Sequence, residues 1–413
     1  MRREAGYSWW MRRTSPVVLA ALAAAVLGGS LALLGAKMTG LADRQTRTVY
    51  VPRDARGLGL GGPNEPISAS ARPLLGNGFD PSRIYAARSA GVVTVFAFFD
   101  KSDPHGAQGS GFVVSDRGYI LTSAHVISNA GDAAKTTEAN RVFIGFRDGD
   151  RVKAEITGWD VYDDVALLRV APDAHALSPV PLGDSSRVRA GDPVAAMGSP
   201  FGNEDSIAVG VVSAVRRSIL SLTSTYKVVD AIQIDAPITH GNSGGPLFDA
   251  RGRVIGINAQ IRTDSGTAEG VGFAIPINAA QRSMQQLAAV GHVVYAYLGV
   301  TTETLTPTLA RHLGYKTARG AIISTVRDGS PADESGLRGG SGDELFNGEA
   351  ITKGGDLIVA VNGQAVRSAD DVVRQVAARL PGERVALTIV RGGERRVVRV
   401  RLGSRPIAPE TSR

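Results

Sequence analysis

Between about Ser82 and Asn278 the chain is a series of short apolar runs broken at close intervals by glycine, aspartate and proline. GVVTVFAFF (91–99), GFVVSD (111–116), YILTSAHVI (119–127), VALLRV (165–170), AIQIDAPI (231–238) and RVIGINAQI (253–261) are examples. Runs of this length with turn signals between them predict strands, and their spacing predicts an all-β sandwich or barrel. The stretch is too long for one small barrel and suits two. Helical spacing first appears at NAAQRSMQQLAAVGH (278–292), which predicts a helix capped by Asn278 and stopped near Gly291.

With 413 residues the chain has room for two or three domains. It has no cysteine, which excludes disulfides, thiolate metal sites, a cysteine nucleophile and a lipid anchor on cysteine. The net charge is +7, but residues 1–60 hold nine Lys/Arg against three Asp/Glu, and the rest holds 37 against 36. The basic character belongs to the N-terminus, so no nucleic-acid partner is expected. Residues 1–14 form a short basic segment with Trp9 and Trp10 between two arginine pairs. Pro16 to Ala36 is 21 residues without a charge, long enough to span a bilayer as a helix. Residues 15–36 are therefore expected to be a single-pass transmembrane anchor that places the C-terminal bulk outside the cytoplasm. Gly40-Leu41-Ala42 marks the alternative, a cleaved signal. Residues 37–80, with GLGLGGPNEP, have the composition of a flexible linker.

The sharpest local motif is Gly241-Asn242-Ser243-Gly244-Gly245-Pro246. It matches G-x-S-x-G, but the strand-like PLFDARGRVIGI that follows argues against the strand-to-helix elbow of an α/β-hydrolase. The remaining reading is a serine on a tight loop, where backbone N–H groups of Gly241, Asn242 and Ser243 form an oxyanion hole. A serine hydroxyl needs a base. Of six histidines, His125 ends a strand-like run among small and apolar residues, whereas His240 is too near Ser243 in sequence to face it easily. Asp164 lies just before VALLRV and is a candidate to orient the base; its neighbour Asp163 competes for that role. Asp235 reads as a structural hydrogen-bonding residue. The order His125, Asp164, Ser243 is that of chymotrypsin-like proteases.

The segments GSGFVVSDRGYILTSAHV (109–126), DDVALLRV (163–170), GDPVAAMGSPFG (191–202), GVVSAV (210–215), QIDAPITHGNSGGPLFD (233–249) and GRVIGINAQ through GVGFAIPIN (252–278) resemble the HtrA/Deg family of serine proteases in order and spacing. The likeness covers about 200 residues. Ser123 and Thr239-His240 depart from the family pattern at positions without chemistry. The resemblance implies a mainly β fold, with a chymotrypsin-like double β-barrel protease domain at 81–292. It implies the triad His125, Asp164 and Ser243, and no metal or organic cofactor. It also implies an ATP-independent endopeptidase acting on unfolded or damaged envelope proteins, in the periplasm or cell exterior, and a homotrimer.

After the helix, Tyr297-Leu298-Gly299-Val300 opens a second unit with GAIISTV (320–326), DLIVAVNGQAV (356–366), SADDVVRQVAARL (368–380) and a hairpin around Gly392-Gly393. In 368–380 the positions Val372, Val373, Val376, Ala377 and Leu380 form one apolar face behind Ser368 as N-cap. This unit resembles an α+β PDZ domain over 296–405, followed by a tail at 406–413; residues 338–355 read as an insertion. YLGV resembles the carboxylate-binding loop of such domains, which hold the C-termini of peptides. Two rival readings remain: a peptide-binding chaperone or regulatory module with an idle protease site, and a membrane-tethered adaptor with a structural β domain.

Overall fold

The computed structural model describes residues 78–100, 106–129, 137–199, 206–224, 226–238, 241–259 and 271–406. The expected basic segment, the anchor at 15–36, nearly all of the linker and nearly all of the tail lie outside these residues. Among the described residues no helix is long and apolar enough to cross a membrane.

Helix α1 (Pro81–Arg88) is capped by Asp80, whose carboxylate accepts the Arg83 N–H, and has proline in its first turn. Six strands follow: β1 (Val92–Phe98), β2 (Ala107–Val113), β3 (Tyr119–Thr122), β4 (Arg141–Gly145), β5 (Arg151–Asp160) and β6 (Val165–Arg169). The short helix α2 (Ala124–Ile127) follows β3. The strands close a barrel in the order β1-β2-β3-β6-β5-β4. A second closed barrel is built from β7 (Pro193–Gly198), β8 (Ser206–Leu220), β9 (Lys227–Ile234), β10 (Pro246–Asp249), β11 (Val254–Ala259) and β12 (Gly272–Pro276).

Period-two alternation accounts for the apolar runs, because both faces of these strands are buried. In the first barrel Val93, Val95, Val113, Ile120, Ile144 and Leu168 fill the interior. Their neighbours Val92, Phe112, Leu121 and Leu167 turn outwards and pack with Met197, Phe248 and Ile257 of the second barrel. The second barrel encloses Val194, Ala196, Val212, Ile232, Ile234 and Leu247. The seam between the barrels is thus a core in its own right, and loops from both barrels meet along it.

Helix α3 (Ile277–Val290) closes the seam with Ile277, Ala280 and Leu287. Asn278 is not its cap. Pro276 takes that position without a side-chain bond, and Asn278 instead accepts the Ser185 N–H at 3.0 Å and donates to Asp184 at 2.8 Å. Gly291 ends the helix in a left-handed conformation, as its sequence position predicts.

The C-terminal domain begins at β13 (Ala296–Tyr297) and β14 (Val300–Leu305), followed by helix α4 (Pro307–His312), which periodicity did not predict. Then come β15 (Gly320–Val326), α5 (Pro331–Glu334), β16 (Gly340–Phe346), β17 (Glu349–Gly354), β18 (Leu357–Val361), β19 (Gln364–Ala365) and α6 (Ala369–Ala377). It ends with β20 (Arg384–Arg391), β21 (Glu394–Arg401) and β22 (Gly403–Ser404). The main sheet runs β14-β15-β18-β20-β21. The expected insertion is an antiparallel hairpin, β16 with β17. Ser368 caps α6 in a reciprocal capping box with Asp371. Val372 and Val376 are buried, but α6 stops at Ala377, so Leu380 falls beyond it and is exposed.

Candidate active site

His125 lies on the short helix α2 after β3 and Asp164 on the turn between β5 and β6, both of the first barrel, whereas Ser243 comes from a turn of the second. Asp164 receives two hydrogen bonds from the same residue: the His125 backbone N–H donates to Oδ1 at 2.9 Å, and the His125 ring Nδ1 lies 2.7 Å from Oδ2. The Ala124 N–H donates to the Asp164 carbonyl at 3.3 Å. Asp164 is 3% exposed and has φ of 55°, in the left-handed region that non-glycine residues rarely occupy. Such a conformation persists where surrounding contacts hold it. Here the bonds from Ala124 and His125 do so, and they leave the imidazole Nδ1–H committed to the carboxylate. Burial lowers the His125 pKa, but the charge and hydrogen bond of Asp164 outweigh it, and the net shift is above the ordinary value of 6.5.

Ser243 sits in the turn 241–244 between β9 and β10 and is 5% exposed. Among the described residues its Oγ has no hydrogen-bond partner, so the link from His125 to Ser243 is not made. Such links are often long in free enzymes and tighten when substrate binds. The turn itself is tied down. Ser110 N–H donates to Ser243 O at 2.8 Å, Gly244 N–H to Asn258 O at 2.8 Å, and Gly245 N–H to Asn242 O at 3.0 Å. Gly244 has φ of +84°, and a Cβ there would collide with Ser110 O and Thr122 Oγ1. No other residue fits that position without moving β2 and β3. Asn242 lies in the same turn, its side-chain carbonyl accepting from Ser206 Oγ at 3.3 Å.

Sequence reasoning missed the residues beneath this turn. The buried Ser110 donates through Oγ to the Gly241 carbonyl and accepts the Ser199 N–H at 2.8 Å. Its own carbonyl accepts from Thr122 Oγ1 at 2.6 Å. Asn258 donates to the Met197 and Pro246 carbonyls at 3.0 and 3.2 Å. The available signal was GSG ahead of FVV, a hydroxyl in a strand otherwise destined for the core. Asp235 accepts the Val211 N–H at 2.6 Å and Asp163 bonds to Tyr295, so neither reaches His125 by the contacts found. His175 and His312 pair with Asp148 and Glu344. His105 and His240 lie outside the described residues. Among the described residues no three His, Asp or Glu side chains could hold a metal ion.

In the C-terminal domain, Tyr297, Leu298, Gly299 and Val300 open a groove of about 710 Å³ that is also lined by Thr302, Val326 and by Val372, Val373 and Val376 of α6. Leu298 is buried and its carbonyl accepts the Ala332 N–H at 2.9 Å. Gly299 has φ of +85°, and a Cβ there would strike Ser330.

Residues 109–257 match the trypsin-like peptidase domain and residues 296–402 the PDZ domain. A solved structure described as the HtrA-type protease AlgW with tripeptide superposes with a TM-score of 0.65 at 32% identity, covering 79% of this chain and 98% of that one. The chain belongs to the HtrA family. A relative from Brucella suis biovar 1 (strain 1330), named a probable periplasmic serine endoprotease DegP-like, is 37% identical over 300 residues, 73% of this chain and 53% of its own length. One of the same name from Halomonas elongata is 38% identical over 305 residues, 74% of this chain and 58% of its own. The chain thus spans little more than half the length of these curated relatives.

In this HtrA chain the two domains touch beside both sites. All described residues fall in one compact unit, Arg72–Arg413. Arg374 of α6 donates through Nε to Asp230 Oδ1 and Oδ2 of β9, both at 2.8 Å. The Arg405 guanidinium lies 5.0–5.2 Å from the ring centres of Tyr162, Tyr226 and Tyr295. Arg217 does not join this contact: its Nε donates to Gln233 Oε1 within the second barrel at 3.0 Å.

Proposed function

We propose that the chain is a serine endopeptidase in which His125, Asp164 and Ser243 form the triad. His125 takes the proton of Ser243 as the hydroxyl attacks the scissile carbonyl, then returns it to the leaving amine. Asp164 holds the ring tautomer that leaves Nε2 as the base and stabilises the imidazolium. The N–H groups of Gly241, Asn242 and Ser243 receive the oxyanion. The observation that carries this reading is the pair of hydrogen bonds that His125 makes to the Asp164 carboxylate, at the seam where the turn of Ser243 also lies.

The substrates on this reading are unfolded or damaged proteins outside the cytoplasm, and the groove behind Tyr297–Val300 takes peptide C-termini that regulate hydrolysis. The periplasmic relatives and the peptide-bound HtrA structures support these assignments. A protease domain at 81–292, a PDZ domain at 296–405, a homotrimer and a single-pass anchor at 15–36 complete the proposal. The anchor rests on the uncharged run of 21 residues.

Ser243→Ala is expected to lower hydrolysis of casein by about 10⁶ while leaving the melting temperature nearly unchanged. Casein cleavage at the wild-type rate by this variant would sink the assignment. The unpartnered Ser243 Oγ favours a second reading, a peptide-binding module with a resting site. Covalent labelling of the free wild-type chain by a fluorophosphonate separates the two: an active site labels, an idle one does not.

A further inference from the structure

The turn that carries Asp164 rests on two other carboxyl groups that this mechanism does not use. Asp160 ends β5, and Asp163 immediately precedes Asp164. Both face the hydroxyl of Tyr295, with Oη 2.6 Å from Asp160 Oδ2 and 2.8 Å from Asp163 Oδ2. Asp160 is 1% exposed and Tyr295 8%. A phenol carries one proton and donates it to one oxygen at a time. With both carboxylates ionised, the second would face the phenol oxygen with no hydrogen between them, beside a like charge.

The donors decide where a further proton sits. Asp160 also accepts from Ser283 Oγ at 2.6 Å and from the N–H groups of Tyr162 and Asp163 at 2.9 and 3.2 Å. Among the described residues the Asp163 carboxyl is hydrogen-bonded only to Tyr295. Burial pushes the Asp160 pKa up as well, but four donors oppose it where Asp163 has one, so Asp160 is the ionised partner and takes the phenolic proton. Asp163 keeps its own proton and donates it to Tyr295 Oη.

We propose that Asp163, Tyr295 and Asp160 are positioning residues for the catalytic acid: the proton on Asp163 closes the 160–164 turn, and the closed turn holds Asp164 against His125. The left-handed backbone of Asp164 is the reason the turn needs an outside restraint. None of the three touches the reacting atoms. The role rests on the reading of the chain as a serine protease.

The surroundings set when the proton leaves. Burial and the charge of Asp160 push Asp163 up, to about 6; a bond donated by Tyr295, open to Asp163 only once it ionises, and the charges of Arg282 of α3 and Arg405 oppose them. The adjoining cleft adds Arg216 of β8, Lys227 and Asp230 of β9 and Arg374 of α6, and Asp164 lies on the same turn. Burial and the two carboxylates hold the Tyr295 hydroxyl well above the ordinary phenol range, so rising pH removes the proton of Asp163 first.

Asp163→Asn separates this role from a merely structural one, since the amide offers an N–H donor that does not ionise. Turnover of a fluorogenic peptide by the full-length wild type, Asp163→Asn and Tyr295→Phe is measured from about pH 5 to 8. Wild-type turnover relative to Asp163→Asn is expected to fall about three- to tenfold as pH rises past about 6, and Tyr295→Phe to lose at least about tenfold throughout. Melting supplies a readout independent of hydrolysis. A group with a raised folded pKa stabilises the fold below its unfolded value, 3.8 here, and loses that contribution as pH rises through about 6. The wild-type melting temperature should therefore fall relative to Asp163→Asn over that window. Parallel pH–rate profiles with a constant melting difference would overturn the proposal while leaving the protease intact. A wild type that hydrolyses nothing at any pH would overturn the protease reading and the positioning role together, and the melting curves would still report the proton.

Discussion

His125 is pulled two ways. Burial favours its neutral form, and Asp164 favours the charged form more strongly, so its pKa stands above 6.5. A general base works when neutral, so the acidic limb of kcat/KM is expected above that of a free imidazole. Asp164→Asn removes the charge and leaves the burial. Turnover should drop by about 10⁴ and the limb should move to lower pH. A limb that stays or rises in the variant, in a kcat/KM titration of both proteins, would show that another group partners His125. The sequence leaves Asp163 and Asp164 as adjacent candidates of the same chemistry. In the structure the positive φ of Asp164 accompanies a division of labour, one carboxylate bonded to His125 and the other to Tyr295. That division depends on a backbone angle and on a residue 132 positions away, neither of which a local motif carries.

At the scale of elements, the barrel strands are legible because burial on both faces makes them apolar runs between turn residues, and helix α6 because Val372 and Val376 fall on one buried face. The β8 strand runs on to Leu220, and its register against β9 shifts at bulges that a local apolar run does not encode. Helix α4 was missed because it spans only Pro307–His312 behind a Thr306 cap. The groove between β14 and α6 makes a prediction of its own. A peptide acid should bind the full-length chain about 1–3 kcal/mol more tightly than its C-terminal amide, the scale of hydrogen bonds to charged groups. Gly299→Ala should remove most of the binding, because the loop needs φ of +85° and the new methyl strikes Ser330. Calorimetry that finds equal affinity for acid and amide would reduce YLGV to an ordinary strand entrance.

At the scale of the whole molecule, the barrels and the PDZ domain are joined by charge and ring contacts. Arg374 and Asp230 are each about one-third exposed, at 34% and 32%, so solvent screens their attraction. A double-mutant cycle of Arg374→Ala and Asp230→Ala in the full chain should give a coupling of about 0.5–1 kcal/mol in denaturant titrations. A coupling of zero would mean that the pair adds nothing to docking and that the Arg405 cage holds the domains. Tyr162 also donates to the Arg405 carbonyl at 2.9 Å, so the end of the PDZ domain is tied to the turn that carries Asp164.

The sequence alone determined the strand-rich architecture and pointed to the two domains and to the three residues of the proposed triad, because each is written locally: short apolar runs between turn residues for strands, glycines around a serine, an aspartate before an apolar run. It also pointed to Tyr297–Val300 as the proposed carboxylate loop of the PDZ domain. Only the tertiary structure decided which histidine and aspartate meet, how Ser110 and Asn258 tie down the serine turn, and where the two domains touch. These are contacts between residues far apart in the chain. Closing the two barrels and docking the C-terminal domain buries polar side chains such as Asp160 and Ser110, and a buried polar group must find its partner wherever the fold brings one.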